Sequence, residues 1–180
     1  MFRIICTGIF FIALLAGGKS NAAEPVATAA AFVTDSISVS GAVQQALRLS
    51  VSELRSFPPQ QIIELAYSPQ FGADAGKQMQ LTGVLLRDIL NKAEIVAHDH
   101  NDVKKVAIIA LAKDGYAAVF SWNELFNTPI GDGVIVFFEK DGKPLGDDEG
   151  KIALISTKDI KTGPRHVKWL ESIEVRRLVK

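Results

Sequence analysis

A chain of 180 residues with 48% hydrophobic side chains is long and apolar enough to bury one substantial core. Its 20 basic and 20 acidic residues cancel, so it lacks the basic excess on which nucleic acid binding depends. The single cysteine, Cys6, lies in the first apolar stretch. The rest of the chain therefore forms no disulfide and offers no thiolate to a metal.

Arg3 opens the chain with a positive charge, Ile4 to Gly17 is almost wholly apolar, and Lys19-Ser20-Asn21-Ala22-Ala23 supplies small residues for cleavage. That order predicts a secretory signal over residues 1–23. The apolar run is short of the ~20 residues that a spanning helix needs. The expectation is a periplasmic protein with no segment inserted in the membrane. Residues 24–36 are Ala-rich without clear periodicity and read as a flexible lead-in. Residues 37–180 show no linker or internal repeat and read as one domain.

Ser36-Ile37-Ser38-Val39-Ser40 alternates polar and apolar residues and predicts a strand ending at Gly41. Ser50 followed by Glu53 predicts a capped short helix, stopped by Pro58-Pro59. Residues 61–66 read as a strand. Thr82 to Leu90 has apolar residues at helical spacing and predicts a helix starting at a Thr82 cap. Residues 106–111 and 117–120 are strand candidates around a turn at Lys113-Asp114-Gly115-Tyr116. Ser121 with Glu124 repeats the capped-helix pattern. Residues 134–139 read as a strand, Lys140-Asp141-Gly142-Lys143 as a hairpin turn, and residues 151–156 and 171–178 as the last strands. Many short strands with a few short helices indicate an α+β domain.

Few residue groups could carry chemistry. His98 and His100 can bring two imidazoles to one face of an extended segment, but His-Asp-His-Asn-Asp is also the composition of a polar turn. Asp147-Asp148-Glu149 reads as a solvated loop. No nucleophile elbow and no glycine-rich phosphate loop is present. The run Gly163-Pro164-Arg165-His166-Val167-Lys168-Trp169-Leu170 is more informative. Arg165 has the paired donors that suit an anion or the polar edge of a heterocycle. In an extended chain His166 and Lys168 share one face, while Val167 and Trp169 share the other. On spacing alone this is a basic strand start with a core Trp169.

At this run the chain resembles the oxidoreductase molybdopterin-binding domain of sulfite oxidases, which carries a Gly-x-Arg-x-Val-Lys-Trp-Leu segment. Thr82 to Leu90, Asp114-Gly115-Tyr116 with Glu124-Leu125, and Asp141-Gly142-Lys143-Pro144-Leu145 are similar to further blocks of that family, in the same order. The resemblance covers most of residues 37–176. It implies a sulfite oxidase-like fold of mixed β-sheets with short helices in a single domain. There are also departures from the family. Where the catalytic members place a molybdenum-ligating cysteine, this chain reads Ala66-Tyr67-Ser68-Pro69-Gln70-Phe71. Where they grip the cofactor's phosphate with a His-Gly pair and a later Arg, it reads Glu149-Gly150-Lys151, with Leu154 at the Arg position. An acidic Glu149 there would repel a phosphate.

Read through the resemblance, the expected ligand is a plain reduced pterin without molybdenum, and the expected protein is a binding protein, not an enzyme. Its ring would lie against Trp122, Tyr116 and Tyr67, and its polar edge would meet Arg165, His166 and Lys168. Asp114 would accept from the exocyclic amine. Small exported members of the family imply a regulatory partner, the periplasmic domain of a membrane-bound diguanylate cyclase or phosphodiesterase. The alternatives are a molybdopterin-dependent oxidoreductase subunit and an adaptor protein with a degenerate pocket.

Overall fold

The structure is a computed structural model that describes residues 29–57, 61–66, 78–99 and 101–179. Its strands are β1 (Ser36–Gly41), β2 (Leu47–Ser50), β3 (Gln61–Ala66), β4 (Gln78–Leu85), β5 (Val106–Ala112), β6 (Ala117–Ser121), β7 (Val134–Lys140), β8 (Lys143–Pro144), β9 (Ala153–Ser156), β10 (His166–Val167) and β11 (Leu170–Arg177). Among the described residues three α-helices, α1 (Val51–Ser56), α2 (Leu86–Ala93) and α3 (Trp122–Asn127), join them. No described helix is long and apolar enough to cross a membrane.

The strands form two sheets. One has the order β2-β1-β11-β5-β6, and the other β10-β9-β7-β4-β3 with β8 on β7. The parallel pairing of β1 with β11 brings the two ends of the domain side by side. Alternation along β1 buries Ile37 and Val39 in the main core with Leu54, Ile89, Phe120, Val136, Phe138 and Ile173. β7 is apolar at five consecutive positions because both of its faces are covered. Val134, Val136 and Phe138 join the main core. Ile135 and Phe137 join a second cluster with Leu81, Ala153 and Ile155.

Local signals in the sequence produced the elements they encode. Ser50 and Glu53 form a reciprocal capping box on α1, and Ser121 and Glu124 form another on α3. Asp141 and Gly142 take positive φ in the β7–β8 turn. The helix expected from Thr82 is a correction. Residues 78–85 are a strand between β3 and β7, and α2 begins only at Leu86, without a side-chain cap. Gly83 makes this pairing close, because a Cβ there would lie 2.2 Å from the Val136 carbonyl oxygen. Tertiary pairing overrides the helical spacing. The lead-in is not wholly loose either: Thr34 Oγ1 donates to the Leu170 carbonyl at 2.9 Å, and Lys151 pairs with Asp35.

His98 and His100 do not gather a metal site among the described residues. His98 is exposed, and its backbone N–H donates to Asp102 Oδ2 at 2.9 Å; His100 lies outside the described residues. Asp102 is buried, and Arg177 and Lys105 pair with it at 3.0 and 3.5 Å. The His98 N–H, outweighing burial and reinforced by Arg177, holds its carboxyl down at about 2. A depressed carboxyl stabilises the fold above its unfolded value near 3.9, and that contribution is lost as pH falls toward 2. The expected result is that Asp102→Asn lowers the melting temperature at pH 7 and narrows its gap from wild type between pH 4 and 2. Thermal melts across that range check this.

Candidate functional site

The run 163–170 passes from one sheet to the other. Gly163–Arg165 forms a 3₁₀ turn, His166 and Val167 pair with Ile155 and Leu154 of β9, and Leu170 begins β11 opposite Ala112 of β5. Lys168 and Trp169 are the corner between the sheets, and Trp169 makes it with φ of 48°. That left-handed value is uncommon for a residue with a side chain and persists only where the surroundings fix it. Here they do. Trp169 N–H donates to the Glu149 carbonyl at 2.8 Å, its Nε1–H to the Asp147 carbonyl at 2.7 Å, and its carbonyl accepts from Lys113 N–H at 3.0 Å. Gly150, itself at φ of 80°, leaves room for the indole, since a Cβ there would lie 2.8 Å from Trp169 Cδ1, and Phe32 lies 5.5 Å from it between ring centroids.

This corner and the β5–β6 turn enclose a cleft of about 250 Å³ lined by Asp114, Tyr116, Gly163, His166, Lys168 and Trp169. The turn is built locally. Asp114 Oδ1 accepts from Tyr116 N–H at 2.9 Å, with Gly115 at φ of 91° between them. Tyr116 then reaches across and donates its hydroxyl to the Pro164 carbonyl at 2.8 Å. Behind the cleft lies Glu149, whose side chain is only 13% exposed. Its Oε2 is 2.8 Å from His166 Nε2 and its Oε1 is 3.6 Å from Lys168 Nζ. Lys168 Nζ also donates to the Asp148 carbonyl at 3.3 Å. Burial raises the Glu149 carboxyl, but the His166 hydrogen bond and the charges of Lys168 and Lys140 outweigh it, so it lies below the ordinary carboxylate range.

Four of the residues singled out in the sequence, Asp114, Tyr116, His166 and Lys168, meet in this cleft. Arg165 does not line it. Its guanidinium donates to Asp159 at 2.6 and 2.5 Å and to Glu124 at 2.9 Å, and it lies 4.6 Å from the centroid of Phe120. The hydrogen bonds it donates to Asp159, with that to Glu124, outweigh burial and hold it more firmly protonated. Trp122 is not at the cleft either. It stacks on Phe126, one helical turn along α3, at 5.1 Å. Tyr67 lies outside the described residues.

Two loop readings also change. Trp169, read as core, is a half-exposed wall of the cleft. Asp147 and Asp148 are exposed, as the solvated reading expects, but their carbonyls brace that wall, and half-buried Glu149 faces His166 and Lys168. Sequence reasoning missed the brace, because nothing local pairs residues 147–149 with residues about 20 positions later.

No curated protein matches the chain. Among solved structures it is similar to the sulfane dehydrogenase SoxCD from Paracoccus pantotrophus, with a TM-score of 0.59 and 17% identity. The alignment covers 79% of this chain and 38% of that one, so the chain spans well under half of that neighbour's length. The likeness establishes the sulfite oxidase-like fold. Residues 25–179 match the family described as oxidoreductase molybdopterin binding domain. That match corrects two expectations. The family is described by its binding of molybdopterin, which goes against the expectation of a plain pterin with no molybdenum cofactor. The family is one of oxidoreductases, which overturns the expectation that the chain stands apart from enzymes. With 155 of its 180 residues matched, the chain is a member of the oxidoreductase molybdopterin-binding domain family.

Proposed function

We propose that the cleft between the β5–β6 turn and the Lys168-Trp169 corner holds the pterin end of a molybdopterin cofactor, and that the chain is a cofactor-binding part of a molybdenum oxidoreductase in the periplasm. The observation that carries this is the convergence of two ring faces, Tyr116 and Trp169, with one cation, Lys168, and one carboxylate, Asp114, on a single small cleft. A flat heterocycle with a polar edge needs that combination of faces and hydrogen-bonding groups. At about 250 Å³ the cleft suits the ring system, and exposed Asp114, Tyr116 and Gly163 leave the mouth open for the rest of the cofactor.

The bound cofactor would supply two-electron redox chemistry at its molybdenum. The chain's residues would bind and orient the ring: Tyr116 and Trp169 by contact, Lys168 by donating to an oxo group, and Asp114 by accepting from an amine. No cysteine lies in residues 29–179, so this part of the chain supplies no thiolate ligand. The periplasmic location is proposed from the signal-like order of residues 1–23. The proposed regulatory partner, a membrane-bound cyclic-di-GMP enzyme, is supported by the resemblance to small exported family members.

The test is purification from cells that make molybdopterin, with the released pterin measured by fluorescence after oxidation and molybdenum measured by elemental analysis. Near-stoichiometric pterin is expected. Lys168→Ala should lower pterin occupancy about tenfold, since a hydrogen bond to a charged group contributes ~1.5–3 kcal/mol. Wild-type protein free of pterin overturns the proposal.

A further inference from the structure

A second cleft, of about 490 Å³, opens on the outer face of the β2-β1-β11-β5-β6 sheet and shares no lining residue with the cofactor cleft. Ile37 and Val39 point into the core, so Ser36 and Ser38 point out to this face. Register places Arg48 of β2 beside Ser38 of β1, and Ser38 beside Ser172 of β11, which makes one row across three strands. Glu171 and Lys113 line the cleft on its β11–β5 side. The Lys113 backbone is fixed there by its N–H, which donates to the Trp169 carbonyl at 3.0 Å. The side chains of Arg48, Lys113, Glu171 and the three serines have no hydrogen bond or ion pair among the described residues. Asp35 is the exception, because Lys151 pairs with it.

Unmatched charges in a cleft specify a ligand by their signs and their spacing. Here Arg48, Lys113 and Lys151 stand against Asp35 and Glu171, so the cleft carries one excess positive charge. The two free cations lie on opposite sides, Arg48 on β2 and Lys113 after β5, with Glu171 on the Lys113 side. From Arg48 to Ser172 is two strand spacings, on the order of 10 Å. We propose that this cleft binds a free acidic α-amino acid of the length of glutamate. Its side-chain carboxylate would take the paired donors of Arg48, its α-carboxylate would meet Lys113, and its ammonium would meet Glu171. The hydroxyls of Ser36, Ser38 and Ser172 would donate to the carboxylates along the row between. The single negative charge of such a ligand balances the excess of the cleft. A lone phosphate fits less well, because it spans too little to reach both cations and is repelled by Glu171. A dicarboxylate without an amine leaves Glu171 unmatched.

The experiment is calorimetric titration of the full chain with three compounds: L-glutamate, glutarate, which lacks the ammonium, and L-glutamine, which lacks the second carboxylate. Wild type is expected to bind L-glutamate roughly tenfold or more tightly than either of the others, since each of them loses one charge-assisted bond. Glu171→Gln should reduce the preference over glutarate to about threefold or less and keep the preference over L-glutamine. Arg48→Gln should do the converse. Both side chains are exposed and make no bond to another described residue, so neither change removes a contact from the fold. No binding of L-glutamate by wild type, equal binding of the three compounds, or an unchanged pattern of preference in either variant overturns the proposal. The cofactor cleft is separate, so pterin occupancy in both variants is expected to equal that of wild type, and the two readings stand or fall independently.

Discussion

Arg165→Ala is expected to lower the melting temperature by about 6–12 °C, more than any other change of a polar residue near the cleft. The guanidinium makes three charge-assisted bonds to two carboxylates on different elements. Its side chain is 18% exposed and that of Asp159 is 12% exposed. Removing it leaves Asp159 and Glu124 facing each other without a counter-charge, at a cost of about 3 kcal/mol, the low end for a broken buried pair. For a domain of this size each kcal/mol corresponds to ~2–4 °C. Arg165→Lys should recover less than half of the loss, because a single ammonium cannot reproduce a planar fork to Asp159 while also reaching Glu124.

The sign of the pH dependence is fixed by the same geometry. Arg165 helps hold the Glu124 carboxyl below its ordinary value, with burial opposing and Ser121 assisting. Without Arg165 the Glu124 carboxyl takes up a proton more readily, so the deficit relative to wild type should shrink from pH 7 to pH 4. A deficit independent of pH would show that the loss is packing against Phe120 and not charge. Pterin affinity should also fall in Arg165→Ala, through the loosened turn at 163–165. Binding measured well below the mutant's melting temperature should then lie within about tenfold of wild type. A complete loss there would return Arg165 to the ligand.

The second large effect is expected from Gly150→Ala. The added Cβ would lie 2.8 Å from Trp169 Cδ1 and 3.0 Å from its Cα, and the residue would be forced to φ of 80°. The backbone conformation alone costs ~1–2 kcal/mol for an L side chain, and the overlap with a fixed backbone atom adds to it. A drop of about 6 °C is expected, together with at least tenfold weaker pterin binding, because relief requires Trp169 to leave the cleft wall. Thermal melts and ligand titration of the same preparation check both. Weakened stability with unchanged affinity would mean that the indole is not a ring-binding face.

Taken residue by residue, the sequence was legible where its signals act over three or four positions. Ser50 with Glu53 and Ser121 with Glu124 cap their helices because a hydroxyl and a carboxylate at that spacing reach each other's backbone N–H groups. The alternation of Ser36–Gly41 and the turn at Asp141-Gly142 likewise encode their own geometry. The departure at Thr82 shows the limit. Its helical spacing was real, but a strand slot between β3 and β7, with Gly83 against the Val136 carbonyl, offered more pairing than one short helix could.

By itself the sequence determined the strand-rich class and the capped helices, and its resemblance to a family drew attention to Gly163 to Leu170. The tertiary structure decided what those residues face. Arg165 turned inward to Asp159 and Glu124, and Trp169 turned outward through a left-handed corner braced by residues 147–149. The reason is physical. A charge is placed by whichever opposite charge can share its burial, and Glu124 lies 41 positions from Arg165 along the chain. Only closure of the two sheets brings such partners together.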